Sequence, residues 1–370
     1  MLGWLLAADL RDPELLAAYA RARELLLDYL RRTLPEFDWQ LEADERRIYA
    51  PRGALDPVDL LELGVAEKLH RHWDYVLVVV PNELIPRHSP SALGVPSSAL
   101  EAAVLSSARL GQGEELAERL AALTLHLLGH LWGLDHAASG PMRPVSGPEE
   151  LRLEPWPPEQ LRELRQQLAE AAASRLEEQR ERWGALAFYW RTFSKDPHGV
   201  IESVLGYAPW RLPFYLGRLT AAAAVSVVYF LLTADAWELG AHLSWRAVWL
   251  LTLLALAAST AFIFSGQDLG RLGREQAWRE QLARTRIVLL GTLGLGIFSL
   301  WAGLLALSLA GAWILPRSLL QSWMGLAPSA AHLLRYAVFT AAIGVLGAAL
   351  GGNLEEEGEI KAELFFDEET

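Results

Sequence analysis

The chain has 370 residues, enough for two domains of ordinary size, with 52% hydrophobic residues, a formal net charge of −12 and no cysteine. The missing thiols exclude disulfides, thiolate metal sites and thiol catalysis. Eight acidic residues and one Lys follow Leu354, the remainder is only mildly acidic, and the absence of a basic stripe excludes a nucleic-acid partner from the expected functions.

The opening stretch, MLGWLLAADLRD, has a short apolar run and no basic flank, so it is read as mature sequence rather than as a secretory signal. Asp12-Pro13-Glu14 is a helix start, and an amphipathic helix is predicted from Glu14 to about Leu34, ended by Pro35. Phe37 to Leu41 alternates apolar and polar residues and predicts a short strand. Asp56-Pro57 starts a second helix, running to about His72. Tyr75 to Val80 (YVLVVV) is β-branched and apolar, the pattern of a buried strand. A loop rich in Pro and Ser reaches Pro96, and a further strand is predicted over Ser98–Ser107. Gly111 and Gly113 then turn the chain into a strong helix over Glu114–Trp132. Helices alternating with strands in this order predict an α/β (α+β) domain over residues 1–145.

Residues 141–157 are irregular and rich in Pro and Gly, and Glu159 to about Thr192 predicts one long charged helix. Pro197–Pro213, with Tyr207, Trp210 and Arg211, has an interfacial composition. Residues 146–213 are therefore read as a linker. Four apolar segments follow, at about 214–234, 247–265, 287–315 and 336–353, each near the ~20 residues that span a bilayer. They predict an all-α transmembrane bundle of about four helices over 214–353, with the lipid bilayer as a partner, and an acidic tail over 354–370. Arg271, Arg274, Arg279, Arg284 and Arg286 crowd the 266–286 loop, against Arg246 alone in 235–246 and Arg317 alone in 316–334. The positive-inside rule then places the N-terminal domain, this loop and the tail in the cytosol. All but three of the 33 basic residues are Arg, a GC-rich signature, and the expected setting is the inner (cytoplasmic) membrane of a bacterium. No Asp, Glu or Lys lies inside the four apolar cores, which counts against a channel or transporter.

Residues 126–136 read HLLGHLWGLDH. His126 and His130, four apart on a helix, lie about 40° apart around its axis and face one point. Gly133 allows an abrupt helix end, after which His136 can return to the same point. Three imidazoles would leave one position of a tetrahedral metal open.

This pattern resembles the zinc-binding signature of the metzincin clan at every position but one. Met142, in Gly-Pro-Met-Arg-Pro, is similar to the clan's Met-turn, and AAVLSSARL (Ala102–Leu110) resembles the strand leading to the zinc helix in archaemetzincins. The resemblance covers about residues 37–145. It implies a zincin-like fold with an edge strand beside the cleft, one zinc ion per chain held by His126, His130 and His136, structural support from Gly133 and Met142, and a peptide or protein ligand in the cleft.

The exception falls on the chemistry. The residue after the first His should be Glu, the general base, and is Leu127. Leu127 continues an apolar stripe formed with Leu116, Leu120, Leu123 and Leu131. Zinc would still acidify a bound water, but loss of the base typically costs a factor of about 10² to 10⁴ in rate. Glu101, at the start of the expected edge strand, is the candidate surrogate. Asp135 adjoins His136 at a position that is not catalytic in the signature. The sequence therefore favours a metallopeptidase relative with weak or no activity, a pseudoenzyme with a partner-binding cleft. An active peptidase using a surrogate acid or base is the alternative, and a bundle acting as channel or transporter is a third.

Overall fold

A computed structural model describes residues 1–9, 12–46, 53–87, 89–171, 184–266, 279–352, 357–367 and 370. The chain forms two compact units. The first comprises Met1–Pro197, Leu272–Thr285 and Phe365–Thr370, and the second His198–Arg271 and Arg286–Leu364.

The first unit holds strands β1 (Leu2–Ala7), β2 (Leu41–Arg46), β3 (Tyr75–Val80), β4 (Gly94–Ser97) and β5 (Ala102–Ser106), and helices α1 (Pro13–Thr33), α2 (Pro57–Arg71), α3 (Gly113–Leu131), α4 (Pro158–Ala171) and α5 (Ala185–Lys195). The sheet order is β2-β1-β3-β5-β4. All neighbours are parallel except β4, which runs antiparallel to β5 with Val95 opposite Val104. Parallel strands covered on both faces need apolar side chains on both sides, and YVLVVV in β3 is buried almost throughout. β1 is buried over its whole length. β2 (LEADER) is polar because it is an edge, and Arg71 bonds its Glu42 and Asp44.

The helix starts follow from local chemistry. Asp12 accepts from the backbone N–H of Glu14 at 2.9 Å, with Pro13 in the first turn, and Asp56 does the same for Val58 at 3.0 Å. Ala18, Ala22, Leu26 and Leu30 of α1 share one core with Leu116, Leu120, Leu123 and Leu127 of α3, on one face of the sheet. α2 packs against β3 and β5 with Gly64 over Val78.

Four sequence expectations shift in the first unit. The strand expected at Phe37–Leu41 begins only at Leu41, because pairing with Leu2 sets its start. The strand expected over Ser98–Ser107 as an edge is the shorter β5, an interior strand; the edge beside it is β4, most of which falls in the stretch expected as a loop to Pro96. The long charged helix is not continuous to Thr192, since Gly184 is extended (ψ 156°) before α5; residues 172–183 lie outside the described residues. The N-terminal core also continues past residue 145: Leu151, Trp156, Leu164 and Leu168 belong to it.

The second unit contains α6 (Pro197–Gly206), α7 (Leu212–Tyr215), α8 (Gly217–Leu231), α9 (Ala234–His242), α10 (Trp245–Gly266), α11 (Arg279–Ile314, whose first turns belong to the first unit), α12 (Arg317–Met324), α13 (Ala330–Gly352) and α14 (Glu357–Phe365). α13 packs against α8, α9 and α10. Among the described residues three helical stretches are long and apolar enough to cross a membrane: Trp245–Gly266, Leu282–Ile314 and Ala330–Leu350. A fourth is reached if Pro197–Tyr215 and Gly217–Leu231, bent by 61°, make one span. The first expected span, 214–234, is thus interrupted at Leu216, between the end of α7 at Tyr215 and the start of α8 at Gly217. Of the Arg-rich loop, 267–278 lie outside the described residues, and Arg279, Arg284 and Arg286 stand on α11.

Among the described residues the buried polar atoms of the apolar helices include hydroxyls, the Trp301 indole nitrogen and the Nε atoms of Arg286 and Arg335. Thr340 donates to Ser308 Oγ at 3.1 Å, and Ser259 to the Val345 carbonyl at 3.2 Å. Leu250, Leu253 and Leu254 on α10 remain mostly exposed, Leu253 by 63%.

Candidate metal site

α3 carries the first two histidines. Its first turn holds Glu114 and Glu115, favourable at a helix N-terminus, and its interior is apolar on the face toward the sheet. The helix ends at Gly133, whose φ of 79° lies in the left-handed region. Gly133 N donates to the His130 carbonyl at 2.9 Å and Leu134 N to that of Gly129 at 3.0 Å, so carbonyls of the last turn are satisfied while the chain reverses. A second turn follows. Ala137 N donates to the Met142 carbonyl at 2.9 Å, closing a loop that returns His136 to the helix.

His126, His130 and His136 come together. A ligand nitrogen from each lies within 4.8 Å of the others, and their ring centroids are 4.8, 4.9 and 5.4 Å apart. His126 is 1% exposed, His130 is half-buried and His136 is exposed. The Nε2 atoms of His126 and His130 stand 3.2 Å apart. Zinc–imidazole bonds of about 2.0–2.1 Å at tetrahedral angles place neighbouring nitrogens about 3.3 Å apart, so this pair fits the ion. The Nδ1 of His126 donates to the Pro141 carbonyl at 2.7 Å, which fixes the tautomer and leaves Nε2 with a lone pair for a metal. The donor set, three imidazoles oriented by backbone and closed by a turn, fits zinc.

Met142 is fully buried beneath the helix. A β-carbon on Gly129 would collide with the Met142 sulfur and lie 3.1 Å from Trp156 Cη2, so the glycine between the two histidines lets the methionine reach the helix backbone. Sequence reading missed Gly129, Trp156 and the Pro141 carbonyl. A helix-interior Gly, about 1 kcal/mol worse than Ala, was the available signal for Gly129; a backbone acceptor leaves none.

Leu127 is fully buried in the core shared by α1, α3 and the sheet. Its side chain packs against β4, where a β-carbon on Gly94 would lie 2.5 Å from Leu127 Cδ1. Glu101 sits just before β5 with a positive φ of 52°. Its Oε2 accepts from Lys68 Nζ at 3.0 Å, and Lys68, 2% exposed, also donates to the Leu100 carbonyl at 2.5 Å. Asp135 is exposed, and its carbonyl accepts from Gln160. The structure thus assembles the three histidines with Gly133 and Met142, and it ties Glu101 to Lys68.

No family model matches the sequence. No curated protein matches it either. Solved structures similar to this chain include an archaemetzincin from Methanopyrus kandleri (23% identity, 46% of this chain and 96% of that chain, TM-score 0.37) and a zinc-dependent peptidase from Methanocorpusculum labreanum (16%, 44% and 100%, TM-score 0.36). An archaemetzincin from Archaeoglobus fulgidus, complexed with malonate, is 17% identical over 44% of this chain and 99% of that chain, with a TM-score of 0.30. The chemistry of the site stands on its own histidines.

Proposed function

We propose that the chain is a membrane-anchored zinc-binding protein with a peptidase-like cleft and little or no peptidase activity of its own. His126, His130 and His136 would hold one zinc ion, whose chemistry is to polarise a bound water or carbonyl. The carrying observation is the 3.2 Å approach of two Nε2 atoms beside a fully buried Leu127. Where a base would receive a proton, this chain presents two methyl groups packed on β4. Glu101, committed to Lys68, is a weak substitute. With zinc held and no base beside it, the cleft suits binding of a peptide or protein more than its cleavage.

Anchoring is supported by the apolar stretches of α10, α11 and α13 and by the exposed leucines of α10, which water would not favour. The Arg-rich loop argues for a cytosolic first unit. Among the described residues no carboxylate is buried inside the apolar helices, which gives a transporter or channel little to work with.

The test is zinc content and hydrolysis in the same preparation. Purified full-length protein is expected to carry about one zinc per chain and to cleave an unstructured protein substrate no faster than the His130→Ala variant. Absence of bound zinc would overturn the metal site. Hydrolysis lost in both His130→Ala and Glu101→Gln would overturn the pseudoenzyme reading in favour of an active peptidase.

A further inference from the structure

The last residues of the acidic tail do not stand apart from the fold. Phe365 and Phe366 are buried, and Asp367 and Thr370 bond to β4 in the antiparallel sense. Gly94 and Thr370 exchange both backbone hydrogen bonds, at 3.2 and 3.0 Å, and Leu93 N also donates to the Thr370 carbonyl at 2.5 Å. Asp367 N donates to the Pro96 carbonyl at 3.1 Å. The Asp367 carboxylate then receives two bonds from Ser98, one from its N–H (2.7 Å) and one from its hydroxyl (3.0 Å). All these residues belong to the first compact unit.

β4 is an edge strand, and its side away from β5 carries N–H and C=O groups that only another strand satisfies well. It is also the strand that lies on Leu127, the neighbour of His126. Backbone pairing at Gly94 gives affinity without sequence preference. The paired donors of Ser98 add the preference: they fit a carboxylate three residues before the one opposite Gly94.

We propose that the outer edge of β4 is a binding site for extended acidic peptides, and that Asp367 and Thr370 of the chain's own tail hold it in cis. A peptide offered in trans binds by displacing this segment. The pairing needs no metal; its bearing on access to the histidines rests on the cleft reading above.

The test uses full-length protein and, as probe, a fluorescein-labelled peptide with the sequence of residues 363–370. Asp367→Lys removes both Ser98 bonds from the cis segment and leaves the edge intact. A tethered segment competes at an effective concentration of about millimolar, so the probe is expected to bind this variant at least about tenfold more tightly than wild type. A probe carrying Lys in place of its Asp should lose that affinity, as should the wild-type probe on the Ser98→Pro, Asp367→Lys double variant. Equal binding to wild type and Asp367→Lys, or binding to neither, would overturn the proposal. Hydrogen exchange of the wild-type chain decides independently of how the variants fold. Gly94 and Thr370 amides should be protected, and exchange at the rate of unpaired amides would overturn it as well. The contrast should survive in His130→Ala. If the contrast holds while the wild-type protein carries no zinc, the metal reading alone fails; if it is missing while the wild-type protein carries zinc, this inference alone fails.

Discussion

Leu127 and Gly94 meet so closely that any side chain on the glycine would strike the leucine: the added β-carbon would lie 2.5 Å from Leu127 Cδ1. Leu127 is therefore a packing element between α3 and β4. Leu127→Ala is expected to cost about 2–5 kcal/mol, as deletions in tight cores do. Leu127→Glu should cost at least as much, because it forces a carboxylate into an apolar contact. Chemical denaturation of both variants checks this. Unchanged stability in either would mean that the position is free to face the cleft.

The three histidines should differ in what their loss does to the fold. His126 is buried and bonded to the Pro141 carbonyl, so His126→Ala is expected to lose both zinc and about 1–3 kcal/mol. His136 is exposed, and His136→Ala should lose zinc with stability of the metal-free protein nearly unchanged. Zinc analysis together with melting in excess chelator separates the two effects. Full zinc retention in His136→Ala would remove it from the ligand set.

Gly129 and Met142 form a coupled pair. Gly129→Ala improves helix propensity by about 1 kcal/mol but drives a methyl group into the Met142 sulfur, at a cost of about 1–3 kcal/mol. Met142→Ala alone leaves a cavity worth about 2–4 kcal/mol. The double variant should be markedly more stable than the sum of the two losses, since the new methyl partly fills the space. Additive losses in the double-mutant cycle would show that the two residues do not touch.

Glu101→Gln should act on stability rather than on the metal. Replacing the carboxylate by a neutral amide leaves the buried Lys68 ammonium without its counter-charge, at an expected cost of about 3 kcal/mol, while zinc content stays constant. Lys68→Met should recover part of the loss in the Gln background. Loss of zinc in Glu101→Gln would place that carboxylate at the metal instead.

Alkaline pH should loosen the first unit through Tyr19. Its hydroxyl lies 2.5 Å from Ser107 Oγ, and burial pushes the phenol up from 10.0 to about 12. The folded state holds this proton longer than the unfolded chain, so stability is complete below pH 10 and falls as pH rises toward 12. The full loss approaches about 3 kcal/mol. Tyr19→Phe should flatten that decline while costing about 1 kcal/mol at neutral pH for the lost hydrogen bond. Identical alkaline slopes in wild type and variant would acquit Tyr19.

The legible parts of this chain were the local ones. The spacing of His126, His130 and His136 is a property of one helix and one turn, and the β-branched run at Tyr75–Val80 is buried wherever it pairs. β4 was not legible, because Gly94 and Pro96 are poor strand formers and its extended form comes from pairing with β5. β1 is masked in the sequence because a short apolar N-terminus fits a signal segment as readily as a buried strand. The pairing of Asp367 with Ser98 joins residues 269 apart, beyond any periodicity. The charge of the tail suggested a solvated end, while its two phenylalanines, both buried, carried the contrary hint.

The continuation of the core past residue 145 bears on how the protein is handled. Trp156 lies against the helix at Gly129, and Leu151, Leu164 and Leu168 fill the same interior. A fragment cut where the zinc-site motifs end would carry all three histidines yet leave an oily slot open beside Met142. Such a fragment should clump through that slot and give a misleadingly poor zinc titre. The smallest excised piece worth weighing for metal therefore runs at least through α4, to residue 171.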